Sequence, residues 1–238
     1  MFAVKVLVID IGGSHVKLLA TGIDPEDARR FDSGKHLKPD ELVARTKALV
    51  SDWDYDVVSI GYPGRVGPDG PIAEPGNLGD GWVGYDYPKA FEHPVRIVND
   101  AAMQALGAHE GGRMLFLGLG TGVGSALVAN HVILPLELGS LRLRGDEDLF
   151  NRIGKKGLEK AGEKAWAEAV LDTAQHLRDA FIADYVVLGG GNAERIEEFP
   201  KHIRRGGNED AFTGGFRLWE EDVEPHDRPH SPVWRVVS

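Results

Sequence analysis

A two-lobe α/β fold with a cleft between the lobes is what this 238-residue sequence predicts. Two widely separated apolar runs each stop at a glycine-rich turn: VLVIDIGGSHVK at Val6 to Lys17, and LFLGLGTGVGSALV at Leu115 to Val128. Apolar runs that end in small residues read as strands leading into tight turns. The second observation is repetition, because the order strand, glycine turn, strand starts again after residue 102. The expected division is a first lobe at 1–102, a second at 103–222 and a weakly ordered tail at 223–238.

The elements follow in order. Val4 to Asp10 and Val16 to Thr21 pair as a hairpin around the first glycine turn. Pro39 to Trp53 has helical spacing at Leu42, Val43, Thr46, Leu49 and Val50, and Asp40 and Glu41 near its start suit the helix dipole. Asp56 to Tyr62 is a short buried strand closed by Pro63 and Gly64. Residues 63–89, rich in Gly, Pro and Asp, read as one long loop of the kind that is usually functional. Val95 to Val98 is a further strand, and Asn99-Asp100 opens a helix through AAMQALGAHE. Met114 to Pro135 gives the second hairpin system. Asp146 to Leu177 is charged and mostly helical, with Trp166, Val170, Thr173, Ala174 and Leu177 as its buried stripe. Tyr185 to Leu188 is a strand ending in the third small-residue turn, Gly189 to Asn192. The tail holds His226 and His230 among prolines and charges.

The turns carry the chemistry. At Gly12 and Gly13 no Cβ keeps backbone N–H groups from anionic oxygens. Asp10, at the mouth of the strand, is placed to hold hydrated Mg²⁺, and Lys17 to neutralise a phosphate. Gly118, Gly120, Thr121, Gly122, Gly124 and Ser125 repeat the layout, with Thr121 adding a hydroxyl donor. Neither turn is a P-loop, since the Gly-x₄-Gly-Lys-Ser/Thr string is absent. A plain β-hairpin explains either turn alone, and the pair favours phosphate binding.

Composition excludes several classes. Cysteine is absent, which rules out disulfides, thiolate catalysis and Cys-ligated zinc. His109 and His131 form no ligand spacing. The net charge of −10 argues against a nucleic-acid partner, because phosphate backbones need concentrated Lys and Arg. No apolar run approaches the ~20 residues of a membrane span. The N-terminal MFAVKVLVIDIGG enters a strand without a cleavable signal pattern, so the expected location is cytoplasmic.

Six ordered motifs, DIGGSHVK, NLGDGW, VNDAAMQALGA, GLGTGVGSALV, LELGS and VLGGGN, together resemble the ROK sugar kinases of the actin-like ATPase superfamily. Within that family the stretch from Arg142 to Trp219 is most similar to the polyphosphate glucokinase group. The resemblance implies a ribonuclease H-like fold in two lobes, and transfer of a phosphoryl group from ATP or polyphosphate, with Mg²⁺, to a hexose. Glucose at its 6-hydroxyl is the leading acceptor. Asp100 matches the general base. Asn77, Asn99 and Glu137 match groups that bond sugar hydroxyls. Gly12, Gly13, Ser14, Gly120, Thr121 and Gly122 match the two phosphate loops, and Gly190, Gly191 and Asn192 match the turn near the distal phosphates. A homodimer is also implied, without structural zinc or the helix-turn-helix of the repressor branch. The residues alone leave Asn99-Asp100 open to a plain helix cap, and Glu137 to a solvated acid.

One position departs from the pattern. The family usually carries Glu-x-Gly-His, and this chain reads Glu137-Leu138-Gly139-Ser140. Serine cannot span the reach of imidazole, which bears on sugar choice and rate. The alternatives are a sugar or phosphate sensor of the same fold and a kinase for another hexose. For a polyphosphate track, Arg142, Arg144, Arg152, Lys155, Lys156 and Lys160 are one candidate set and Arg204 with Arg205 another; interleaved Glu159 and Glu163 make the first set read equally as a solvated helix face.

Overall fold

The computed structural model describes residues 4–142, 147–207, 209–220 and 233–237. β1 (Val6–Ile11), β2 (His15–Ala20) and β3 (Arg29–Asp32) form an antiparallel meander, followed by α1 (Pro39–Leu49) and β4 (Val57–Tyr62). A two-stranded hairpin, β5 (Val66–Gly67) and β6 (Gly70–Pro71), then α2 (Tyr87–Phe91), β7 (Val95–Asn99) and α3 (Asp100–Ala108) complete the first half. The second half runs β8 (Met114–Leu119), β9 (Val123–Ala129), β10 (Val132–Leu136), α4 (Leu149–Ile153), α5 (Lys155–Ala161), α6 (Glu163–Ala180), β11 (Tyr185–Gly189), β12 (Ile203–Arg205), α7 (Asp210–Arg217) and β13 (Arg235–Val236).

The two main sheets have the same plan. The first is ordered β3-β2-β1-β4-β7 and the second β10-β9-β8-β11-β12, with β13 added outside β10. In each, an antiparallel meander is extended by two parallel strands. Parallel strands need helical crossovers, which bury both faces. Leu7, Ile9 and Ile11 accordingly pack on the α1 and α2 side, with Leu42, Trp82 and Phe91. Alternate residues Val6 and Val8 point the other way, into a core shared with α3, α7, Met114 and Phe116. A third core joins Leu115, Leu117 and Leu119 to Trp166, Val170 and Leu177 of α6.

α3 and α7 tie the halves together. α3 packs on β8, β9 and β10 of the second sheet, and α7 packs on β1 and β4 of the first. The two helices cross on glycine: a Cβ at Gly107 would lie 1.8 Å from the Asp210 carbonyl oxygen, and one at Gly214 1.8 Å from that of Met103. Buried Ser59 of β4 donates to the Gly215 carbonyl at 2.6 Å and accepts from the Trp219 indole at 2.9 Å, which fixes α7 onto the first sheet. Position 102 lies inside α3.

Two local expectations need correction. Residues 63–89 are not one loop, because they hold β5, β6 and the start of α2, whose Asp86 cap accepts from Lys89 N–H at 3.1 Å. The end of the tail is ordered too. β13 pairs in parallel with Val132 and Ile133, and the Trp234 ring lies 5.0 Å from that of His131. Residues 221–232, including His226 and His230, lie outside the described residues.

Candidate active site

The strand order brings the chemistry together. In parallel segments the carboxyl ends of neighbouring strands open on one side, where loops and helix starts converge. β1 carries Asp10 one residue before its end, β8 ends at the Gly120 turn, β11 at the Gly190 turn, and β7 delivers Asp100 as the first residue of α3. A cleft of about 880 Å³ is lined by Asp10, Gly12, Gly13, Ser14, Lys17, Asp100, Gly120, Thr121, Gly190 and Gly191. Each was expected from the sequence at a phosphate, metal or catalytic position. Both glycine turns are indeed hairpin turns, and they also face the cleft.

Two carboxylates dominate its electrostatics. Asp10 is 8% exposed, and burial raises its pKa while Lys17, its cross-strand partner, opposes the rise. Asp100 is half-buried, and its pKa is pushed up to about 7, first by burial and then by the negative charge of Asp10, with a smaller push from Glu137. The Ala101 N–H donates to Asp100 Oδ1 at 2.8 Å and works in the opposite direction. A like-charge pair with little counter-charge favours holding a proton or a cation.

The remaining expected residues take other places. The side-chain nitrogen of Asn77 stands against Gly13, 3.3 Å from where a Cβ would be. Glu137 is exposed and close enough to act on Asp100. Asn99 caps α3, accepting from Ala102 N–H at 3.2 Å and donating to the Gly64 carbonyl at 3.0 Å. It lines a separate groove of about 460 Å³ with Tyr85, Tyr87 and Trp234. Gly122 backs onto the Phe150 ring, where a Cβ would sit 3.3 Å away. Asn192 donates to the Gly120 carbonyl at 3.3 Å and so links the second and third turns. Ser140 Oγ donates to the Glu137 carbonyl at 3.1 Å, bracing its own turn.

The polar lining residues Gln104, His15 and Glu194 escaped the sequence reading, as did Ala193, Gly206, Gly207 and Ala211. Gln104 had a usable signal, since it stands four residues after Asp100 and so shares its helix face. Among the described residues, none of the first basic set lines the cleft. Arg152 pairs with Asp172, Lys155 with Glu159 and Lys160 with Glu147, while Lys156 lies over Phe150. Arg144 is outside the described residues. Arg205 does line the cleft.

Two lobes of one strand order, with paired carboxylates and three glycine turns at the cleft between them, share the fold of solved ROK-family kinases. In sequence the chain is similar to polyphosphate glucokinases. It is 28% identical over 214 residues to the polyphosphate glucokinase of Mycobacterium leprae (strain TN), covering 80% of this chain and 64% of that protein. The chain thus spans less than two thirds of that relative's length. No protein-family model matches it. Among solved structures, an inorganic polyphosphate/ATP-glucomannokinase from Arthrobacter sp. strain KM superposes with a TM-score of 0.72 at 21% identity, over 90% of this chain and 97% of that one. A ROK family glucokinase from Streptomyces griseus, in complex with glucose and AMPPNP, gives a TM-score of 0.60 at 15% identity, over 98% and 93%.

Proposed function

We propose that this protein is a sugar kinase, moving a phosphoryl group from ATP or polyphosphate to a hexose, with glucose at the 6-hydroxyl as the leading acceptor. The observation that supports the reading is Asp100, at the head of α3 in the same cleft as the glycine turns, its pKa pushed up to about 7 by burial and by Asp10. A general base works best when its pKa matches the working pH. The Ala101 N–H fixes one carboxylate oxygen, leaving the other to accept the sugar hydroxyl proton as the phosphoryl group arrives. Phosphoryl transfer depends mainly on positioning and charge neutralisation, and the backbone of Gly12, Gly13, Gly120 and Gly190 with the Thr121 hydroxyl supplies the donors.

The donor set fits Mg²⁺. Among the described residues no group of three His, Cys, Asp or Glu side chains gathers as a metal cage. Mg²⁺ typically takes one or two carboxylates and completes its shell with water and substrate phosphates. Asp10, buried and with Lys17 as its counter-charge, would hold the ion with Asp100 nearby, and the ion would neutralise charge on the donor phosphates. Glu137 and Asn77 flank the acceptor side, where Ser140 in place of histidine shifts the choice among hexoses. Asn99 acts there by holding the Gly64 turn and the start of α3. The same reading, from the family resemblance, carries a homodimer and a cytoplasmic location. No helix among the described residues is long and apolar enough to cross a membrane.

The test is formation of glucose 6-phosphate by purified protein with Mg²⁺, with ATP and polyphosphate in parallel. Product that depends on Asp100 supports the reading; an Asp100→Asn variant with undiminished turnover overturns the base assignment.

A further inference from the structure

Arg204 and Arg205 are neighbours in sequence with different surroundings. Successive side chains of a strand leave on opposite faces. Arg204 is committed to the fold: it donates to the Ala108 carbonyl, pairs with Glu110 at 3.2 Å and lies over the Tyr185 ring at 5.7 Å. Arg205 is exposed and lines the cleft, and its guanidinium has no partner among the described residues. It is the sole arginine lining that cleft among those residues.

The register gives this side chain its place. β8, β11 and β12 are neighbours and run parallel, so their ends form a row at 118–120, 189–191 and 205–207. The Gly206 N–H donates to the Leu188 carbonyl at 2.9 Å and holds the last strand end against the third turn. Adjacent strands are about 4.8 Å apart, so Arg205 stands about 10 Å along the row from the Gly120 turn. Lys17, the other cation of the cleft, lies on the first sheet. Two acids belong to the second-lobe side: Glu194 lines the cleft, and the Asp210 carboxylate, behind the strand end, accepts from the Gly207 N–H at 2.7 Å. A free guanidinium offers a planar fork of donors that matches phosphate oxygens.

We propose that Arg205 is a donor-binding residue, gripping the phosphates that lie beyond the transferred group, on its leaving side. The proposal rests on the kinase reading above. Phosphate oxygens are the ligand chemistry, whether they belong to a nucleoside triphosphate or to a linear polyphosphate. Glu194 sets the opposing sign, repelling the same anion.

The experiment uses the full chain with Arg205→Ala, Arg205→Lys, Glu194→Gln and, as a control outside the cleft, Lys201→Ala. Donor KM is measured at saturating glucose and Mg²⁺, in one arm with ATP and in the other with polyphosphate. A charge-assisted hydrogen bond is worth about 1.5–3 kcal/mol, or roughly 10- to 150-fold. Arg205→Ala is expected to raise donor KM by roughly that factor in at least one arm, with glucose KM and melting temperature unchanged. Arg205→Lys restores part of the loss, and Glu194→Gln lowers donor KM by roughly 2- to 5-fold. A larger effect with polyphosphate assigns the grip to a chain donor, and a larger effect with ATP assigns it to a nucleotide. Donor KM equal to that of Lys201→Ala in both arms overturns the proposal. If the wild type turns over neither donor, the kinase reading fails separately. Titration with polyphosphate alone then decides: binding weakened roughly tenfold or more by Arg205→Ala supports the grip, and no difference or no binding overturns it.

Discussion

The two lobes share a strand order but place opposite chemistry at equivalent strand ends. Asp10 is the fifth residue of β1, and its counterpart in β8 is Gly118. Asp10 faces Lys17 across its hairpin, whereas Gly118 faces Gly124. The last parallel strand of the first sheet delivers Asp100, and that of the second delivers Arg205. Both lobes therefore bring glycine backbone to the cleft, and they differ in what stands beside it: Asp10 and Asp100 in the first, Arg205 in the second. On the proposed reading a duplicated scaffold divides the work of a two-substrate reaction, with proton acceptance and metal binding on the first lobe and donor phosphates held between the glycine turns of both.

Removing the carboxylate side should produce the largest effect. Asp100→Asn is expected to lower kcat by about 10²- to 10⁴-fold, the usual worth of a general base. The same change should stabilise the fold, because the native state holds this group at a cost. The native pKa of about 7 exceeds the ordinary aspartate value of about 3.9, so the folded protein binds more protons than the unfolded chain between those values. Stability from this group is therefore full below about pH 4 and is lost as pH rises through about 7. The loss is on the order of 1–3 kcal/mol for a half-buried group. Urea unfolding at pH 5 and pH 8 checks this, with the slope expected to shrink in Asp100→Asn.

The joint between the lobes comes next. Gly214→Val forces side-chain atoms into the Met103 carbonyl and is expected to cost about 3 kcal/mol or more, read as a lower thermal midpoint. An unchanged midpoint would mean that the α3–α7 crossing tolerates separation, and the comparison of two locked lobes would break. Asp10→Asn sharpens the division differently. It should raise the Mg²⁺ concentration for half-maximal activity by roughly tenfold or more while leaving glucose KM within about twofold. The smallest effect is expected at the sugar turn, where Ser140→His should change glucose KM against other hexoses by about 2- to 10-fold. Identical hexose profiles would remove Ser140 as a selectivity residue.

Much of this organisation was legible in the sequence because its signals are local. Apolar runs ending at Gly12 and Gly120, and Asn99-Asp100 before AAMQALGA, each announce a turn or a helix start within a few residues. Residues 63–89 concealed α2 because its cues, Asp86 before Tyr87-Pro88, sat in a stretch whose Gly and Pro content dominated the reading. β13 depends on an edge offered by β10, a partner roughly a hundred residues away in sequence that no local pattern specifies. Arg205 was visible as half of a basic pair. Which of the two arginines meets the cleft depends on the register of β12 against β11, and that is a tertiary fact.

The most direct test of Asp100 as the base is the pH dependence of kcat/KM for glucose at saturating Mg²⁺ and donor. With Asp100 as the base, kcat/KM rises with pH and levels off near pH 7, and the rise is absent from the residual activity of Asp100→Asn. A wild-type profile that is flat from pH 5 to 8 would contradict it.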